Sequence, residues 1–117
     1  MPLSDLDTCS RHFQALNALV TQLRVRGLSL YAHSYDYLTF GSWLIVSGTR
    51  HRRVRVAWDG KEGALRLAIW DSSGSRALAH WRTVKAPEVP RGSDEVTLMN
   101  TAADLIIAHY NPVHSRA

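Results

Sequence analysis

Residues 52–70 constrain the fold more than any other stretch, because two runs that alternate apolar and polar residues flank one short polar turn. The runs are RRVRVAW (52–58) and ALRLAIW (64–70), and DGKEG (59–63) separates them. Alternation with a period of two is typical of a strand that buries one face, and an Asp-Gly pair is typical of a hairpin turn. The sequence therefore predicts an antiparallel β-hairpin over these residues.

The two faces of this hairpin predict its register. Side chains that lie directly opposite each other share a face, so the apolar residues must pair with one another. Among the registers that satisfy this rule is one with three apolar pairs: Trp58 with Leu65, Val56 with Leu67, and Val54 with Ile69. The other face then carries three further pairs: Arg53 with Trp70, Arg55 with Ala68, and Ala57 with Arg66.

The period of two continues on both sides of the hairpin, over residues 28–84. LSLYAHSYDY (28–37) and FGSWLIVSG (40–48) precede it, and RALAHWRTV (76–84) follows it. We interpret the segment as an antiparallel meander of four to five strands. Pairing Asp71 with Arg76 across SSGS predicts three further oppositions: Ile69 with Leu78, Trp70 with Ala77, and Arg66 with Trp81.

Two segments outside the sheet predict helices. In residues 4–26, apolar residues recur every three or four positions and form one stripe: Leu6, Cys9, Phe13, Leu16, Val20 and Leu23. Gly27 is a natural end for this helix. A second helix is predicted over 93–110, with Ser93 as its N-cap and Asn111–Pro112 after its last turn.

The order of these elements predicts a single α+β domain over residues 1–117. An N-terminal helix, an antiparallel meander and a C-terminal helix follow one another, and at least the first helix covers the apolar face of the sheet. KAPEVPRG (85–92) is interpreted as a linker, because it contains two prolines and a glycine. Residues 111–117 are interpreted as a frayed tail.

Basic charge is concentrated in the middle of the chain. Residues 48–85 hold nine Lys and Arg against three acidic residues, whereas the whole chain has a net charge of only +4. A local basic field attracts anionic partners, such as nucleic acid, an acidic protein or an anionic membrane surface.

The arginine face of the hairpin is the first candidate site. It combines three arginines and two tryptophans around small residues: Arg53, Arg55, Arg66, Trp70 and Trp81, with Ala57, Ala68, Ala77 and Ala79 as a floor. Arginine and tryptophan are enriched in binding hot spots. Two structural interpretations compete: a solvated face covered by arginine stems, and a helix packed across the alanine floor.

The first strand of the meander is the second candidate. Its aromatic residues occupy alternate positions: Tyr31, His33, Tyr35 and Tyr37. Tyrosine is enriched in binding surfaces, but the same pattern is typical of aromatic side chains that fill one face of a sheet.

No catalytic or metal site is predicted, and no cofactor is expected. The six histidines lack the spacing of metal ligands, and no phosphate-binding glycine loop or nucleophile elbow is present. Cys9 and His12 share a helix face, but Cys9 lies on the apolar stripe, where a buried thiol is the ordinary explanation. His80 is interpreted as a core histidine.

These observations favour a small non-enzymatic protein-binding module, such as an inhibitor or an immunity (antitoxin-like) protein. Its expected partner is another protein with an acidic surface, and its expected binding residues are the Arg/Trp face together with Tyr31, Tyr35 and Tyr37. The alternative is a nucleic-acid-binding module that uses the same basic face. A lone cysteine and an N-terminus without a basic, apolar leader favour a cytoplasmic location without membrane association, and the oligomeric state is left open.

Overall fold

The chain folds as a helix, five antiparallel strands and a second helix, which confirms the predicted order. The computed structural model describes residues 3–36, 38, 41–71, 81–90 and 92–110. The elements have the following bounds: α1 Leu3–Val25, β1 Ser29–Asp36, β2 Ser42–Gly48, β3 Arg52–Asp59, β4 Ala64–Asp71, β5 Arg82–Val84 and α2 Glu95–Tyr110. Both helices begin and end within two residues of the predicted positions.

The sheet is a meander in which each strand pairs with its neighbours along the chain, in the order β1-β2-β3-β4-β5. The register of β3 against β4 is the predicted one at all six positions, from Arg53 opposite Trp70 to Trp58 opposite Leu65. The apolar and the arginine-bearing faces of this hairpin are therefore separated as the sequence predicts.

The pairing of β4 with β5 corrects the predicted register. Ile69 lies opposite Arg82, four residues along the chain from the predicted partner Leu78, so Arg66 does not face Trp81. A shift by an even number of residues leaves every side chain on the same face, so the separation of the two faces does not distinguish these registers. The remaining predictions for this strand, at Ala77, Ala79 and His80, fall in 72–80, outside the described residues.

A β-bulge in β1 separates the aromatic residues that the sequence placed on one stripe. The register against β2 shifts between Leu30 and Ala32, so Tyr31 is the additional residue. A bulge reverses the alternation of side chains beyond it. Tyr31 consequently lies beside Arg53 on one face, whereas Tyr35 lies opposite the buried Trp43 on the other. The predicted stripe is thus not one surface, and its last member, Tyr37, lies outside the described residues.

Both helices cover the same face of the sheet. α2 packs directly on β2 and β3, and α1 packs on α2 and β1. Their shared core consists mainly of buried aliphatic side chains, including Leu16, Leu19, Leu23, Ile45, Val54, Val56, Leu67, Met99 and Ile106. The second helix therefore covers the Val54/Val56 face. Within the described ranges, no helix is long and apolar enough to cross a membrane.

The buried stripe of α1 is rotated relative to the prediction. Leu16 is buried as predicted, but Phe13 is 47% exposed. Among the residues of α1 whose burial is described, the buried stripe runs from the fully buried His12 through Leu16, Leu19 and Leu23. Steps of four, three and four residues place these side chains on one side of a helix. A histidine thus occupies a core position that counting apolar residues alone does not reveal.

The N-cap of α2 lies one residue later in the chain than predicted. Asp94, rather than the predicted Ser93, is the N-cap, because its Oδ1 accepts a hydrogen bond from the backbone N–H of Thr97 at 2.8 Å. The same bond is the main cause of the lowered pKa of Asp94. The Ser93 hydroxyl instead donates to the Pro90 carbonyl at 2.7 Å.

Candidate functional site

The face of the sheet opposite the helices, here called the outer face, gathers most of the predicted binding residues. Its described members are Tyr31, Arg53, Arg55, Arg66, Trp70 and Trp81. Because α1 and α2 both pack on the other side, neither of them lies across the alanine floor, and that structural interpretation is wrong for these two helices.

Arg53 lies between two aromatic rings of neighbouring strands. Its guanidinium carbon is 4.0 Å from the centroid of the Tyr31 ring and 5.3 Å from that of Trp70. Both distances are within the range of cation–π attraction, which is about 0.5–1 kcal/mol for an exposed pair. Its Nε is buried and has no hydrogen-bond partner within the described part of the chain. The rings therefore hold the guanidinium in place, and its Nε is unpaired within the described residues.

Arg55, two residues further along β3, lies over one aromatic ring. Its guanidinium carbon lies 4.6 Å from the centroid of the Trp81 ring. The residues opposite Arg55 on either side are Val46 and Ala68, which are only 8% and 4% exposed. A strand rises about 3.3 Å per residue, so the backbones of Arg53 and Arg55 are about 6.5 Å apart. The face thus presents two arginines on one strand, each held by an aromatic ring.

Arg66, the third predicted arginine, belongs to a different arrangement. Its Nη2 lies 3.3 Å from Oδ2 of Asp59, and its side chain is 65% exposed. The pKa of Asp59 is lowered mainly by the backbone N–H of Glu62, and then by Arg66 and the N–H of Lys61. The charge of Arg66 is therefore partly balanced by Asp59, whereas Arg53 and Arg55 form no ion pair with a carboxylate among the described residues.

A depression of about 470 Å³ lies between Arg55 and Arg66 on this side of the sheet. Its lining combines the two arginines with small and aliphatic residues, including Leu44, Ala57, Ala68 and Thr83. Its size is within the range typical of sites that take a side chain or a small molecule. The outer face is therefore a mixed surface of cations, aromatic rings and a shallow apolar recess.

The helix-covered face holds a polar cluster that the sequence-based prediction missed. Nδ1 of His12 lies 2.9 Å from Oε2 of Glu95, and Nε2 of His12 lies 2.9 Å from Nε2 of His33. These residues come from α1, α2 and β1, so the cluster connects three elements. The sequence does contain one indication that His12 is buried. His12 precedes Leu16, Leu19 and Leu23 at the spacing of residues on one face of a helix.

Aromatic rings enclose the same histidine. Tyr35 is stacked on His12, with ring centroids 3.8 Å apart and ring planes inclined by 10°. Phe13 meets the His12 ring edge-on at 5.3 Å. Tyr35, which the sequence placed among the binding residues, therefore lies against His12 rather than on the outer face. Burial, and then the nearby charge of His12, lower the pKa of His33.

Neither region has the ligand set of a metal centre. Among the residues that the structure describes, no three His, Cys, Asp or Glu side chains are placed to hold one ion together. No protein-family model, curated protein or solved structure matches this chain. Function is therefore inferred from the chemistry of the outer face and of the His12 cluster.

Proposed function

We propose that this chain is a small protein-binding module, comparable to an inhibitor or an immunity (antitoxin-like) protein, whose outer face binds an acidic surface of another protein. The observation that carries the proposal is the pair Arg53 and Arg55. Each guanidinium is held over an aromatic ring, and neither forms an ion pair with a described carboxylate.

Positioned guanidinium groups suit carboxylate recognition. Arginine offers a planar set of N–H donors that matches the two oxygens of a carboxylate. Holding the side chain in place before association reduces the conformational entropy that binding would otherwise cost. Alternate residues of an extended peptide are also about 6.5 Å apart, so carboxylates on alternate residues match the spacing of Arg53 and Arg55.

The aromatic residues favour a protein partner over nucleic acid. Single-stranded nucleic acid binds such faces by stacking bases on free aromatic rings. Here one side of the Tyr31 ring and one side of the Trp81 ring already face a guanidinium. The acidic side chain of Asp59, paired with Arg66, also lies toward one end of the face. A nucleic-acid-binding module stays the second candidate, because the positive charge of this segment would attract phosphates.

A direct binding experiment tests the proposal. We expect a fluorescent peptide with glutamate at alternate positions to bind the wild-type chain, and the same peptide with glutamine to bind far more weakly. The double substitution Arg53→Gln and Arg55→Gln should weaken binding of the glutamate peptide at least about tenfold, which corresponds to 1.4 kcal/mol. Arg24→Gln with Arg26→Gln is the matched control, because it removes the same charge from the exposed end of α1.

The same measurement distinguishes the alternative. A fluorescent single-stranded oligothymidylate should bind weakly, and its affinity should change equally in the two double variants. Two results together would replace the proposed function with the nucleic-acid function. The oligonucleotide would bind tightly, and replacing Arg53 and Arg55 would flatten the slope of log affinity against log salt concentration by about one unit for each phosphate that is no longer neutralised. If neither probe depends on these arginines, the outer face is not the binding site.

A further inference from the structure

We propose that His12 and His33 form a proton-dependent contact between α1 and β1. A single hydrogen between the two Nε2 atoms holds the imidazoles together. When enough protons bind that both Nε2 atoms carry a hydrogen, the contact breaks and the first helix separates from the edge strand. The inference is independent of the proposed function, because it concerns the opposite face of the sheet.

The first supporting observation is the relative orientation of the two rings. Their planes are inclined by 21°, their centroids are 5.1 Å apart, and their Nε2 atoms are 2.9 Å apart. A centroid separation this much longer than the N–N distance means that the rings lie edge to edge in nearly one plane. The two nitrogens therefore face each other directly, and the gap between them holds one hydrogen.

The same geometry disfavours a metal ion between the rings. Two nitrogen ligands at about 2.0–2.1 Å from a tetrahedral zinc are about 3.3 Å apart, and nitrogens that face each other head-on need about 4 Å. The observed separation of 2.9 Å is a hydrogen-bond distance. The contact is therefore a site for a proton.

Glu95 fixes the protonation of the other nitrogen of His12. An ionised carboxylate only accepts hydrogen bonds, so Nδ1 of His12, at 2.9 Å from Oε2 of Glu95, carries a hydrogen. Two states then keep the contact. In one, neutral His12 accepts from the Nε2–H of His33; in the other, charged His12 donates its Nε2–H to neutral His33.

The first of these states converts to the second when one proton is added. The proton binds to Nδ1 of His33, the shared hydrogen moves from His33 to Nε2 of His12, and Glu95 balances the new positive charge. Adding one more proton gives both rings an Nε2–H, so two donors and two positive charges face each other. No hydrogen bond is then possible, and the contact opens.

The surroundings favour opening over retention of two charges. From α2, the carboxylate of Glu95 faces His12; from β1, the phenol ring of Tyr35 covers it; and from β2, Trp43 contributes only an uncharged indole ring. On α1 itself, Cys9 and Arg11 are the nearest titratable or charged residues whose side chains the structure describes. Among the described side chains, one negative charge, that of Glu95, is in contact with the pair, and it can balance one imidazolium. Burial and the charge of His12 also lower the pKa of His33.

Nuclear magnetic resonance of the ¹⁵N-labelled full chain tests the proposal directly. At neutral pH, we expect scalar coupling across the hydrogen bond between Nε2 of His12 and Nε2 of His33. The coupling should disappear at mildly acidic pH, while the remaining amide spectrum stays folded. Absence of the coupling at neutral pH, or its persistence after both rings are protonated, would overturn the inference.

Hydrogen exchange provides a second measurement. The amide of Gln can donate or accept, so His33→Gln should keep a contact with His12 in either protonation state of that ring. At pH values low enough to protonate His33, backbone amides of α1 around His12 should exchange faster in the wild type than in His33→Gln. The ratio of the wild-type exchange rate to the variant exchange rate should grow about tenfold for each unit by which the pH is lowered. His109→Gln removes a half-buried histidine from α2 instead of β1, and it measures how far the loss of such a histidine changes this exchange by itself. Equal exchange in the wild type and His33→Gln would contradict the proposal.

Discussion

Arg52, at the start of β3, donates a hydrogen bond from its Nε to the backbone carbonyl oxygen of His109, in the last turn of α2, at 2.7 Å. The last carbonyl groups of a helix have no partner within the helix, and a cation at this end is also favoured by the helix dipole. Arg52 therefore fastens the end of α2 to the sheet.

We expect Arg52→Ala to lower the free energy of unfolding by about 1–2 kcal/mol, because it removes this charged donor. Arg50→Ala removes a neighbouring exposed arginine, and should change the free energy by less than about 0.5 kcal/mol. Urea unfolding followed by tryptophan fluorescence measures both. Equal losses in the two variants would show that the contact with His109 contributes nothing.

Gly48 should tolerate alanine much less well than Gly63. Gly48 has a φ of +146°, and an added Cβ would lie 2.3 Å from the carbonyl oxygen of Arg52. Gly63 has a φ of +67° with open space around it. Gly63→Ala should therefore lower the free energy of unfolding by about 1–2 kcal/mol, because alanine disfavours this backbone conformation. Gly48→Ala should lower it more, because backbone atoms must also move to make room for the Cβ. Thermal or urea unfolding decides the order, and a smaller loss at Gly48 would contradict it.

Leu16→Ala should destabilise the chain by about 2–5 kcal/mol, because Leu16 lies in the core between α1 and the other layers. Val25→Ala is the matched control at the exposed end of the same helix. It should change the free energy of unfolding by no more than about 0.5 kcal/mol. A loss below that limit for Leu16→Ala would mean that this side of α1 is not part of the core.

Stability should fall as the pH decreases below about 6.5. Burial is the main cause of the lowered pKa of both His33 and His109, and the charges of His12 in one case and of Arg52 and Arg82 in the other add to it. In the unfolded chain these histidines regain the ordinary value of 6.5, so the unfolded state binds more protons in this range. Each additional proton then favours unfolding. Above about 6.5 these two histidines are mostly neutral in both the folded and the unfolded state, and their contribution to the pH dependence ends.

Free energies of unfolding measured at several pH values test this prediction. His109→Gln should reduce the slope between pH 5 and 6.5, because it removes one of these two histidines. A stability that increases on acidification would contradict the assigned directions.

The β3–β4 hairpin was predictable to the residue, because both of its strands alternate and a short turn connects them. The β4–β5 register was not, because a shift of four residues leaves every side chain on its predicted face. On the outer face, Arg53, Arg55 and Trp70 follow from the β3–β4 register alone. Their contacts with Tyr31 and Trp81 depend on a bulge and on an unforeseen register.

The His12 cluster was missed for a different physical reason. Its members are 21 and 83 residues apart along the chain, so no local spacing reveals them. Each has an ordinary local explanation: His12 in a helix, His33 in an aromatic strand, and Glu95 in the first turn of α2. Only the packing of three elements brings their polar atoms together.

The bulge at Tyr31 also affects how copies of this chain behave at high concentration. β1 is an edge strand of the sheet, and a regular edge offers its free backbone groups as a template for a strand of another molecule. The additional residue interrupts the ladder and increases the local twist, so a second edge cannot align along all of β1. Deleting Tyr31 would therefore remove a protection against self-association together with a ring from the outer face.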